Sequence, residues 1–140
     1  MLINSLIFIH FAGLVMGFAG GISMSRVGPM LVAATGERRE ALWPLANTLT
    51  RIALLGLVIL LVTGPLVLWL KFHGPAGLST WFMAKMGFVA AGVVSIGVTE
   101  WAKARFRRGD ESVAGLMNAA GGATGLLLTL AMLCAVFAFN

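Results

Sequence analysis

His10 is the side chain best suited to coordination chemistry, because it stands alone in an apolar stretch from Leu2 to Met24. An imidazole inside such a segment is costly to desolvate, which makes it a functional candidate by default. The residue alone leaves two readings open: a metal or haem ligand, or a hydrogen bond to a neighbouring helix. Gly13, Gly17 and Gly21 recur every four residues on the His10 stripe. That spacing makes a groove into which a backbone or a flat ligand can approach. Lys85, four residues after Trp81, either snorkels to headgroups or pairs with carboxylates such as porphyrin propionates. Arg26 and Arg51 suit an anionic substrate or a lipid headgroup. Sixteen residues, about 24 Å of helix, separate His10 from Arg26, so Lys85 is the better propionate partner for a haem held by His10. Glu100 can pair with Arg51 or with Lys103. His73, in a Gly/Pro turn, reads as solvated. Cys134, the single cysteine, reads as a small packing residue and excludes an internal disulfide.

Several constellations are missing. The sequence has no Cys-x-x-Cys, no His-x-x-x-His, no Gly-x-Ser-x-Gly and no phosphate-cradling Gly-Lys-Ser/Thr loop. Hydrolytic and nucleotide chemistry therefore lack their usual groups.

The elements that must position these residues follow from composition. The 140 residues are 59% hydrophobic and 11% charged, with a mean hydropathy of +0.97, too little polar surface for a water-soluble domain of this size. Apolar runs of about 20 residues cross a hydrocarbon core of about 30 Å as helices, since open strands cannot satisfy their backbone groups in lipid. The expected architecture is an all-α integral membrane protein, an antiparallel bundle of four transmembrane helices in one domain. The helices are expected at about 2–34, 42–71, 81–106 and 112–139. Thr35-Gly36 is expected to end the first, with Glu37-Arg38-Arg39-Glu40 as a polar tip before the second and Phe72 to Gly77 as the outer turn.

Basic residues gather after the first span (Arg26, Arg38, Arg39) and after the third (Lys103, Arg105, Arg107, Arg108). Because cytoplasmic loops carry Lys and Arg, both termini are expected outside, periplasmic for a bacterial inner membrane. The net charge of +5 then reports topology and headgroups, not nucleic acid. Trp43, Trp69, Trp81 and Trp101 are expected at headgroup level.

The motifs resemble those of the HemJ-type protoporphyrinogen oxidases, small four-helix bacterial membrane proteins related in fold to copper-resistance D-type membrane domains. Ile9-His10-Phe11 with Gly17, Gly20 and Arg26 is similar to that family's first helix. Trp81-Phe82-Met83-Ala84-Lys85 is similar to its Trp-x-x-x-Lys start of helix three, and the basic run Lys103 to Arg108 matches in position and character. The chain departs from the pattern in helix one at Gly17-Phe18, at Val98 to Trp101, and at Asn118-Ala119-Ala120-Gly121, where the family has Asn-Glu-x-x-Pro.

The resemblance implies haem b on His10 and oxidation of protoporphyrinogen IX, with electrons passed to a membrane acceptor. The leading expectation is thus a haem-b-binding membrane redox protein with His10 as axial ligand, Lys85 near the propionates and the Gly13/Gly17/Gly21 groove admitting the macrocycle. His73, Met83 or Met86 could supply the second axial ligand, or that position could be open to substrate. A second class is a packing or assembly subunit of a larger membrane complex or homo-oligomer. A third is copper transport through His10, Met83 and Met86.

Overall fold

The computed structural model describes residues 2–72 and 80–138, all helix apart from short turns. Helix α1 runs Leu2–Ala33, α2 Gly36–Phe72, α3 Thr80–Arg107 and α4 Ala114–Ala138, the last preceded by a 3-10 turn at Glu111–Val113. All four are long and apolar enough to cross a membrane. The expected outer turn, including His73, lies outside the described residues.

The start of α2 corrects one expectation. Glu37-Arg38-Arg39-Glu40 is helical, and only Ala34-Thr35 separate α1 from α2. Gly36, at φ +55°, makes the reversal that a β-carbon would resist. Glu37 then sits in the first turn of α2, where its charge complements the helix dipole. The polar tip also completes α1. Arg39 donates from Nε to the Ala34 carbonyl at 2.7 Å and from a terminal nitrogen to the Val32 carbonyl at 3.4 Å, covering acceptors that α1 leaves open at its end. The same guanidinium lies 3.3 Å from Glu111 and 5.0 Å from the Phe106 ring centroid. One side chain of α2 thus touches the ends of α1 and α3 and the turn that leads into α4.

The turn from α3 to α4 is built by Gly109, at φ +95°, whose amide donates to the Phe106 carbonyl at 3.0 Å. Asp110 follows, accepting from the Ser112 amide and hydroxyl and holding Arg105 at 2.8 Å. The Ser112 hydrogen bonds, with Arg105 beside them, hold its carboxyl below the usual carboxylate range.

The pairing of α1 with α2 is read from their closest contacts. Gly13 meets Ile59 and Gly56, Gly20 meets Ala53 and Leu49, and Met24, Val27 and Leu31 join Trp43 and Ala46 in the larger core cluster. As α1 advances, its partners on α2 recede. That cluster also takes in Ala102 and Phe106 of α3 with Val113 and Met117, so the 34–36 and 108–113 turns lie at one end of the molecule. A smaller cluster of Leu57, Val89, Ile96 and Ala131 ties α2, α3 and α4 nearer the other end.

Trp43 is buried inside the bundle, 5% exposed and packed 6.3 Å from Phe106. Because α2 begins at Gly36, Trp43 falls two turns inside the helix and faces α3. Trp69, Trp81 and Trp101 are exposed. Cys134 is buried.

Candidate functional site

His10 is half-buried between α1 and α2, with its ring edge towards Gly64. Its Nδ1 lies 2.8 Å from Thr63 Oγ1, and that hydroxyl donates to the Ile59 carbonyl at 2.6 Å. A hydroxyl carries one proton. With that proton given to Ile59, Thr63 can only accept from His10, so a neutral imidazole carries its hydrogen on Nδ1 and keeps a lone pair on Nε2. This is how second-sphere partners orient metal-binding histidines.

Lys85 is partly buried on α3 and close enough to His10 to act on it electrostatically. Its ammonium also lies 5.9 Å from the Phe82 ring. The structure therefore brings His10 and Lys85 into one neighbourhood. Met83 and Met86 are exposed on α3, and no three His, Cys, Asp or Glu side chains converge on a metal among the described residues.

The glycine stripe divides between two neighbours. A β-carbon on Gly13 would come 2.7 Å from Ile59 Cγ2, and one on Gly56 would come 2.5 Å from the Gly17 amide nitrogen. On the other side, Gly21 faces Gly125 and Gly17 faces Leu128 of α4. Of the two occupants that the spacing allows, backbone fills the groove, and a macrocycle has no room between these helices. A b-type haem asks for an imidazole nitrogen, a cation for its propionates and a flat apolar seat. His10 and Lys85 fit the first two, and the Gly13/Gly17/Gly21 stripe does not provide the third.

Two features escaped the sequence reading. Lys103, counted there among the basic loop residues, is 4% exposed. Its ammonium is held by Glu100 at 2.5 Å and by Thr50 Oγ1 at 2.7 Å, so Glu100 takes Lys103 and not Arg51 as its partner. Beside it, Thr50, Thr99 and Thr124 line a cavity of about 20 Å³, roughly the space of one water. Helical spacing from Phe106 could have signalled this, because Lys103 and Phe106 share a face. The other is Thr63. It lies 28 residues after Thr35, while His10 lies 25 before it, so a reversal at Thr35 brings both to similar depth.

Arg26 is exposed on α1. Arg51 is exposed on α2 and lines a surface groove with Arg107, from which Arg26 is absent.

No family model matches the chain, and no curated protein or solved structure matches it either.

Proposed function

We propose that this chain is a multi-pass membrane protein, an antiparallel four-helix bundle, whose His10 serves as axial ligand to a b-type haem seated outside the filled Gly13/Gly17/Gly21 groove. The bundle reading is supported by four helices of spanning length and by the receding order of α1–α2 contacts. Inward-facing basic turns are supported by Arg39, Arg105, Arg107 and Arg108 collecting at one end, with both termini outside. Reporters fused to either terminus should be active only on the outer side of a bacterial inner membrane. Cytoplasmic activity at both ends would reverse the orientation.

The observation that carries the haem reading is the Thr63 hydroxyl, which directs the His10 proton to Nδ1 and leaves Nε2 for iron. Lys85 supplies the cation for a propionate. Bound haem would supply one-electron redox chemistry. Activity on protoporphyrinogen IX, with a membrane electron acceptor, is the reaction implied by the resemblance. The competing reading, a packing or assembly subunit, draws on the filled glycine groove and on the His10–Thr63 hydrogen bond between α1 and α2, since helix contact already accounts for those residues.

An absorption spectrum separates the two. Protein prepared with ample haem should show a Soret band that disappears in His10→Ala and shifts or weakens in Thr63→Val, which keeps the side-chain shape but removes the acceptor. A colourless wild type, or a band indifferent to His10→Ala, would leave the packing subunit. Haem-loaded protein without activity on protoporphyrinogen would be an electron carrier.

A further inference from the structure

At the end of the molecule that carries the basic turns, one face of α2 is polar. Glu40, Pro44, Asn47, Thr48 and Arg51 recur at three- and four-residue spacing and form one wall of a groove of about 360 Å³. Arg107, from the last turn of α3, forms the other wall, its guanidinium 5.6 Å from the Trp43 ring. Stacking on an aromatic face restrains the planar group while leaving its N–H donors free to bind. Among the described residues, neither Arg51 nor Arg107 has a carboxylate within ion-pair distance. Glu40 lines the same groove one turn from Trp43, on the Arg107 side, and eleven residues, about 16 Å of helix, separate it from Arg51.

The depth of the groove indicates its ligand. Trp69 and Arg51 lie 18 residues apart on α2, about 27 Å of helix, close to the roughly 30 Å of a hydrocarbon core. With Trp69 at the outer interface, Arg51 stands where the inner hydrocarbon gives way to headgroup phosphates. Two guanidinium groups from different helices, a carboxamide and a hydroxyl line this groove, with Glu40 at its end away from Arg51, a donor set that near Arg51 matches a phosphate.

We infer that this groove binds the phosphate of an anionic phospholipid from the inner leaflet, between Arg51 and Arg107. The site rests on the membrane reading and is independent of haem.

Native mass spectrometry of the detergent-solubilised full chain, offered equal amounts of phosphatidylglycerol and phosphatidylcholine, tests it. The wild type should retain phosphatidylglycerol preferentially. Arg51→Gln and Arg107→Gln should each lower that retention about fivefold, the scale of one basic side chain at an anionic surface. Arg107→Lys, which keeps charge but loses the planar fork, should also fall. Arg38→Gln, exposed and outside the groove, should change it less than twofold. Equal retention of the two lipids, or equal losses in Arg38→Gln and the groove variants, would overturn the site in favour of a diffuse basic belt. Displacement of the lipid by millimolar inorganic phosphate would overturn the lipid assignment and give the groove to a soluble phosphate. Lipid selectivity in a colourless protein would support the groove while the haem reading fails. Both results can therefore be read separately.

Discussion

Gly56→Ala is expected to lower the stability of the bundle by about 3 kcal/mol, the upper part of the range for overpacking a well-filled site. The added methyl would stand 2.5 Å from the Gly17 amide nitrogen, 2.6 Å from the Gly13 carbonyl oxygen and 2.9 Å from Met16 Cβ. The first two are backbone atoms inside a helix and cannot rotate aside, so relief requires α1 and α2 to move apart along their whole contact. His10 and Thr63 would separate with them. Gly87→Ala is the matched control, because nothing lies within 4 Å of a β-carbon there. Alanine should be neutral or slightly stabilising at that position through helix propensity. Thermal unfolding in one detergent, followed by circular dichroism, compares the two. A Gly56→Ala protein that melts with the wild type would mean that α1 and α2 do not meet at these glycines.

The second large effect concerns a buried cation and carries an asymmetry. Glu100→Gln keeps the shape of the side chain but leaves the Lys103 ammonium, 4% exposed, with Thr50 as its remaining hydrogen-bond partner. Breaking a buried pair from one side costs about 3–5 kcal/mol. The lower end applies here, because the Glu100 side chain is 42% exposed and part of its charge is solvated. Lys103→Met should cost less, about 1 kcal/mol. The cation is then gone, Glu100 can turn to water, and the Thr50 proton already belongs to the Ala46 carbonyl. The double variant should recover most of the Glu100→Gln loss. Unfolding midpoints of the three proteins decide the matter, and a Glu100→Gln variant at least as stable as Lys103→Met would contradict the pair as drawn.

Hydropathy is informative about some of these features and silent about others. The four apolar helices are legible because spanning length and apolar composition mark them directly. The beginning of α2 is not, because Glu37 to Glu40 look the same to a hydropathy scale in a turn or in a solvated helix. Only the Arg39 contacts with α1 carbonyls and Glu111 distinguish them. The period of Gly13, Gly17 and Gly21 announces close approach but not its occupant. Gly56, which makes the closest of these approaches, stands outside any such period. Lys103 reads as a loop charge because its burial depends on α2 supplying Thr50 across the bundle. His10 and Lys85 stand out as ionisable groups in apolar spans, whereas the Thr63 hydroxyl that governs the His10 tautomer is nearly invisible to any polarity scale.

The distribution of polar contacts also bears on how the chain is put together during synthesis. His10 and Thr63 join α1 to α2, while Ser95 and Thr124 join α3 to α4. These uncharged bonds let each successive pair of helices satisfy polar groups within its own apolar segments before the other pair arrives. Two polar links between the pairs, Lys103 with Thr50 and Arg39 with Glu111, are charged and lie at the end that carries the basic turns. These charged links between the two halves thus sit at the basic end, where an ammonium or guanidinium awaiting its partner can remain hydrated. The molecule reads as two half-products, each joined internally by uncharged bonds and closed on the other by an ionic clasp, and the clasp is set where waiting costs least.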